Sequence, residues 1–300
     1  MKVLRRLAVS IAVVVGLVVL LAGGIHVAGG RSLARHHDVV VRNIAEPVVD
    51  SALLARGAHL AGPLGKCADC HADDFGGKIL VDDPAIGLLA VPNITRGRGG
   101  VTADFTLADW DRALRHGVGP DSSGLVLMPS EDYAALSDGD FVALVSYLRQ
   151  LAPVDREMPR PAIRLVGRAL YLAVKLPLIA ADRIDHKADH PAVPPDTTIE
   201  YGAYLADIGG CTGCHGPQLS GGPIPGMPPG TLPAANITPT GIGQYTGADF
   251  NRAMRDGSRP DGSKINEPMP IRFTSRMSDD EILALYRYLR TVAPHEFGGR

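Results

Sequence analysis

Aromatic side chains are scarce in this 300-residue sequence: one Trp, eight Tyr and six Phe, 5% of the chain. So little bulky filling argues against large cores built from long regular elements alone. An excess of either charge is also missing, with 30 Lys and Arg against 32 Asp and Glu. The formal net charge is −2, so no basic field exists to hold nucleic acid. Cysteine is limited to four residues, and a chain of this length needs no disulfide scaffold. Glycine (35) and proline (24) are plentiful, which favours wrapping loops. The length suits two ordinary domains with additions.

The four cysteines fall in two stretches, Cys67-Ala-Asp-Cys70-His71 and Cys211-Thr-Gly-Cys214-His215. Each is a C-x-x-C-H, the attachment signature of c-type haem. Thiols one helical turn apart reach the two vinyl groups of one porphyrin, and the following histidine becomes the fifth iron ligand. A four-cysteine zinc site would need the pairs closer together and leaves both histidines unexplained. A thioredoxin-like dithiol needs a preceding strand, which Leu60–Lys66 does not resemble. Two porphyrins would also supply the apolar filling that the chain lacks.

The N-terminus, Met1-Lys-Val-Leu-Arg-Arg6, precedes an uncharged run from Leu7 to Gly30. As a helix, Leu7 to Gly29 extends about 35 Å, enough to cross a bilayer. An uncleaved anchor over residues 1–30 is the preferred reading. A cleavable signal ending near Ala22-Gly-Gly24 is the alternative. Lys2, Arg5 and Arg6 put the N-terminus in the cytoplasm, with the body outside the inner membrane. Residues 31–47 then form a stalk, with His36 and His37 solvated.

An internal repeat organises the remainder. Gly57-Ala-His-Leu60 answers Gly202-Ala-Tyr-Leu205, and Asn93-Ile-Thr95 answers Asn236-Ile-Thr238. Ala108–Arg115 answers Ala248–Arg255, Met128-Pro129 answers Met269-Pro270, and Tyr147-Leu-Arg149 answers Tyr288-Leu-Arg290. Each unit reads as helical: a first helix over Ser51–Ala61 or Ile199–Asp207, and a middle one over Leu107–Arg115 or Ala248–Arg255. The middle helices end at Gly117 and Gly257. Last helices open at the capping boxes Ser137…Asp140 and Ser278…Glu281 and stop before Pro153 and Pro294. No alternating strand pattern stands out. His59 and His116 have no histidine counterpart in the second unit and are expected at the surface.

Residues 154–197 read as a proline-rich linker. Its apolar stretch, Ile163–Ile179, carries Arg164, Arg168 and Lys175 and is too short to span a membrane. A helix lying between the domains is preferred there over one touching the membrane surface. His186 and His190 are four apart but lack a third metal ligand nearby.

Each unit resembles a class I cytochrome c domain, with a first helix, C-x-x-C-H, a methionine ligand and a last helix ending Tyr-Leu-Arg. In that family a glycine of the first helix crosses closely against an aromatic residue of the last. The matching positions are Gly57 with Tyr147 and Gly202 with Tyr288. The tandem arrangement is similar to the membrane-bound cytochrome c subunits of bacterial alcohol and sugar dehydrogenases, which carry three such motifs where this chain has two. The resemblance covers Val48–Pro153 and Thr198–Pro294.

It implies an all-α fold of two tandem domains, 48–153 and 198–300, each a small helical bundle around covalent haem, plus the N-terminal membrane helix. Cys67, Cys70, Cys211 and Cys214 would attach two haem c groups. His71 with Met128, and His215 with Met269, would be the axial ligands, and Asn93 and Asn236 are candidate donors to haem propionates. Trp110 and Phe250 are expected to pack on the haem or on the first helix. The implied function is outer-sphere electron transfer rather than catalysis. The donor would be a quinol-oxidising complex or periplasmic dehydrogenase, and the acceptor an oxidase or soluble cytochrome. A di-haem peroxidase or sulfur-compound oxidase is the alternative, and it requires an open sixth position.

Overall fold

The computed structural model describes residues 1–173, 176–228 and 230–299. Helix α1 (Lys2–Leu33) is unbroken and passes straight through Ala22-Gly-Gly24. Almost all of it is exposed, and Gly29 is its one buried residue. The segment after it is no free stalk. Arg35 pairs with Asp182 at 2.9 Å, the Arg42 N–H donates to Asp111 at 3.1 Å, and Arg149 donates to Glu46 at 2.8 Å. His36 bridges to Ser123, and the His37 N–H donates to the Ser122 carbonyl. These anchors are backbone groups and distant carboxylates, which leave no periodic trace in the local sequence.

The first repeat follows with α2 (Ser51–His59), α3 (Cys67–His71), strands β1 (Lys78–Asp83) and β2 (Gly87–Val91), α4 (Leu107–His116), α5 (Ser130–Tyr133) and α6 (Asp138–Leu148). Next come β3 (Ala162–Ile163) and α7 (Leu165–Ala173). The second repeat holds α8 (Ile199–Ile208), α9 (Cys211–His215), α10 (Pro239–Ile242), α11 (Gly247–Asp256), α12 (Ile271–Thr274) and α13 (Asp279–Leu289).

In each repeat the first and last helices cross at a glycine. A Cβ on Gly57 would overlap the Ala143 carbonyl and lie 2.6 Å from Tyr147 Cβ. A Cβ on Gly202 would overlap the Ala284 carbonyl and lie 2.7 Å from Tyr288 Cβ. Only a residue without a side chain lets these backbones meet. The middle helices begin at reciprocal capping boxes, Thr106 with Asp109 and Thr246 with Asp249. They end on left-handed Gly117 and Gly257, at φ 66° and 67°. Ser278 and Glu281 make the expected box, but Asp140 does not return to Ser137 because its carboxylate is taken by Arg56 and Tyr204.

The first repeat has one residue more than the second between its Leu60-type leucine and its first cysteine. The structure absorbs it as a π turn, Leu60–Leu64, in which the Gly65 N–H reaches back to Leu60 O at 2.7 Å. The equivalent bond in the second repeat, Gly209 N–H to Leu205 O at 2.9 Å, is an ordinary helical one.

The all-α expectation is corrected to mostly helical. Strands β1, β2 and β3 form a small antiparallel sheet, with Lys78 opposite Val91 and Gly87 opposite Ile163. Its third strand is two residues long and comes from beyond α6, so no sequence window could contain the pairing. The linker is also no spacer. It wraps the first repeat, Arg156 pairing with Asp74 at 2.7 Å, and α7 packs on α1 rather than between the repeats. Lys175 of the expected helix lies outside the described residues.

His116 is buried, and His59 is half-buried where the two repeats meet. His59 Nε2 donates to both Glu281 oxygens at 2.8 Å. His116 is 4% exposed and shares a 3.0 Å hydrogen bond with His186.

Candidate functional site

Both C-x-x-C-H segments fold as single helical turns, entered from a left-handed residue, Lys66 at φ 52° and Gly210 at φ 63°. The turn places the two thiols on one side and the histidine at its end. Cys67 and His71 are buried. Burial pushes the Cys67 thiol up to about 12 and the Cys211 thiol up to about 11. Such thiols are held neutral, opposite to the thiolate of a redox dithiol.

The two histidines are held identically. His71 Nδ1 donates to the Pro92 carbonyl at 2.9 Å, and His215 Nδ1 donates to the Ala235 carbonyl at 2.7 Å. A carbonyl only accepts, so Nδ1 carries the proton and Nε2 keeps its lone pair for a metal. Burial, partly offset by the Pro92 carbonyl, lowers the His71 pKa, which also favours the neutral ligand form. Pro92 and Ala235 were not legible as functional positions, because their contribution is a backbone oxygen. The one signal was their shared place just before each Asn-Ile-Thr.

Around the second motif lies a cavity of about 440 Å³. Cys211, Cys214, His215 and Met269 all line it, together with apolar residues that include Leu205, Phe250 and Leu285. Met269 begins a tight three-residue turn, its carbonyl accepting from Ile271 N–H at 2.9 Å with Pro270 at φ −83° and ψ 60°. Met128 does the same, its carbonyl accepting from Ser130 at 2.8 Å with Pro129 at φ −80° and ψ 56°. Both are inverse γ-turns, stiffened by the proline ring. Met128 is half-buried against the main core. Met254 and Met277 also line the second cavity, whereas Met227 is 40% exposed and Met158 lies against Gly77.

Both asparagines hydrogen-bond to loop carbonyls. Asn93 spends its amide N–H groups on the Val154 and Arg156 carbonyls, at 2.6 and 3.2 Å, and its oxygen on Thr95. Asn236 donates to His295 O at 2.7 Å and accepts from Thr238. Each pins the chain after the last helix onto the loop that carries the histidine's carbonyl partner. Trp110 is buried, and its indole N–H has no partner. A carboxylate of a bound group would satisfy it.

The residues fit covalent haem: paired neutral thiols, an imidazole with a defined tautomer, and an apolar cavity with a methionine. The lining also crosses the repeat boundary. Pro63, Leu64 and Lys66 belong to the first repeat, and Lys66 Nζ donates to Gly209 O at 2.6 Å.

The Cytochrome c family matches residues 199–293. The diheme cytochrome c-type protein of Cereibacter sphaeroides is 30% identical over 254 residues, covering 76% of this chain and 82% of that protein. The cytochrome c subunit of the quinone alcohol dehydrogenase of Gluconacetobacter polyoxogenes is 42% identical over 97 residues, 30% of this chain and 21% of that subunit. The fructose dehydrogenase cytochrome subunit of Gluconobacter japonicus is 37% identical over 109 residues, 34% of this chain and 22% of that subunit. This chain thus matches only about a fifth of the length of those two dehydrogenase subunits.

Proposed function

Because this chain belongs to the family of diheme c-type cytochromes, we propose that it is a membrane-anchored electron carrier with one covalent haem c on each repeat. The observation that carries this reading is the duplicated histidine geometry, His71 on Pro92 O and His215 on Ala235 O. When bound, haem iron supplies one-electron transfer between its ferrous and ferric states.

The chain's own residues do the rest. Cys67 with Cys70, and Cys211 with Cys214, hold the two groups by thioethers. His71 and His215 are the imidazole ligands, with Met128 and Met269 as sulfur ligands that raise the potential. The apolar lining excludes water, which keeps reorganisation small. Residues 48–153 and 198–300 act as two cytochrome domains, and 1–30 as an uncleaved single-pass anchor in the inner membrane. The apolar run inside α1 is longer than the short apolar region of a cleaved signal, which supports the anchor. The haem domains face the periplasm. The donor is a periplasmic dehydrogenase, by analogy with relatives that are cytochrome subunits of dehydrogenases; a quinol-oxidising complex would meet the same need. The acceptor is an oxidase or soluble cytochrome.

Protein matured in a host that attaches haem should keep its colour through acid-acetone extraction and carry the mass of two haems. Met128→Ala and Met269→Ala should each remove the methionine-to-iron charge-transfer absorption from one haem and lower its potential. Unchanged spectra and potentials in both variants would refute the axial assignment, and colourless protein would refute the function. Peroxidase turnover by the untreated protein would favour the enzymatic alternative.

A further inference from the structure

Helix α7 is held by a narrow face. Gly167 packs against the Ile86 carbonyl, Arg168 Nη1 donates to His26 O at 2.7 Å, and the Tyr171 hydroxyl meets Ser32 at 3.1 Å. A Cβ on Gly29 would lie 2.8 Å from Arg168 Cβ, so α1 and α7 touch as closely as their backbones allow. Leu33 of α1 packs against the same small core of Val118, Leu178, Ile179 and Ala181 as Ile163 and Tyr171 do.

The rest of α7 faces outward. At 3.6 residues per turn, Leu165, Val166, Ala169, Leu170, Leu172 and Ala173 share one continuous arc with no polar member. Val166 is 46% and Leu170 38% exposed. A soluble surface rarely leaves a helix face wholly apolar, so something covers it.

What covers it follows from where α7 sits. About 20 helical residues cross a bilayer core. Counted from Leu7, that length ends at His26, the residue whose carbonyl Arg168 holds. The apolar arc therefore begins where the apolar surface of α1 leaves the hydrocarbon and is continuous with it. Arg31 and Arg164, both exposed, flank the contact and suit anionic headgroups.

We infer that α7 is an interfacial helix whose apolar arc lies among the lipid headgroups and upper acyl chains beside α1. It gives the body a second membrane contact and fixes how the first repeat is presented to the periplasm. A single helix would leave the body free to swivel, whereas two contacts set its tilt. This inference rests on the anchor reading of α1.

Full-length haem-loaded protein in vesicles of phosphatidylethanolamine and phosphatidylglycerol provides the test, with a phospholipid bearing a diazirine near the head of one acyl chain. After irradiation and cleavage at Arg and Lys, lipid adducts are expected on peptide 7–31 and on peptides 165–168 and 169–175. Leu170→Glu combined with Leu172→Glu should abolish the adduct on 169–175, leaving that on 7–31 and the visible spectrum unchanged. Adducts on 7–31 alone would overturn the inference while the anchor stands, and would point to a protein partner on this face. Adducts on none of these peptides would overturn the anchor reading and this inference together.

Discussion

His59 of the first repeat donates to Glu281 of the second at 2.8 Å, and the residue equivalent to His59, Tyr204, donates back to Asp140 at 2.7 Å. Asp140 and Glu281 are themselves equivalent, each the third residue of its last helix. The two repeats therefore meet about a pseudo-two-fold axis, each offering its first helix to the start of the other's last helix. Arg56 joins the two halves of the network, 2.6 Å from Asp140 and 3.6 Å from Glu281.

This network should fix the distance between the two C-x-x-C-H sites. Burial raises the Glu281 carboxyl, but His59, the Ser278 N–H and Arg56 outweigh it and hold the group below its ordinary value. Its contribution is thus complete above the ordinary carboxylate range and lost as pH falls through the lowered value. His59→Ala should cost about 1–3 kcal/mol, and Tyr204→Phe, which leaves Asp140 its Arg56 partner, about 1 kcal/mol. The double variant should be non-additive, since Arg56 touches both carboxylates. Urea unfolding of the four proteins measures this, and strict additivity would separate the two halves.

Gly57→Ala and Gly202→Ala should each destabilise the repeat that carries them. The new methyl meets a backbone carbonyl, Ala143 or Ala284, which cannot rotate away. A cost of about 1–3 kcal/mol is expected for overpacking at such a crossing. On the proposed function thioethers would retain the colour, so the damage would appear as earlier thermal loss of the methionine-to-iron absorption from the haem of that repeat only.

The glycine crossings, the cysteine turns and the Met-Pro pairs are legible because the repeat writes them twice, at matching positions. The cap at Ser278 is local, and local chemistry is what a sequence shows best. What stayed hidden depends on remote partners. His59 looked like a surface residue because Glu281 stands 222 residues away. The sheet leaves no trace because the burial of β1 does not alternate, its register shifts between Ile79 and Val81, and β3 is two residues long; the carbonyls of Pro92 and Ala235 carry no side-chain signature. Asn93 and Asn236 pair in the repeat, but their hydrogen bonds to the carbonyls of Val154, Arg156 and His295 join segments 59 to 63 residues apart and leave no local trace.

Acid should unfold the first repeat earlier than carboxylates alone would cause. Burial, with His186 and His190 adding to it against the pull of Asp111, lowers the His116 pKa from its ordinary 6.5 to about 4. Between those values the unfolded chain binds a proton that the folded chain refuses. Stability therefore rises with pH across about 4 to 6.5 and falls on acidification. His116→Asn should reduce the pH slope of unfolding in that window by about one proton, measured from urea midpoints at successive pH values. An unchanged slope would show that His116 takes up its proton without unfolding.

With haem held by Cys211, Cys214 and His215 as proposed, Asp132 should couple its potential to pH. Its carboxylate presses on Gly210, the residue before Cys211, where even a Cβ would overlap it. Burial first and then Glu131 raise its pKa to about 7, and Lys66, which bridges the repeats, opposes them. Oxidation adds positive charge nearby and favours the carboxylate, so the oxidised protein releases the proton at lower pH than the reduced one. The midpoint potential must then fall as pH rises between those two values, by at most about 59 mV per pH unit for one electron and one proton. Asp132→Asn should flatten this dependence and raise the potential on the alkaline side, where the native residue is charged. Redox titration of both proteins over about pH 6–8 decides it, and a pH-dependence that survives in Asp132→Asn would assign the proton to another group.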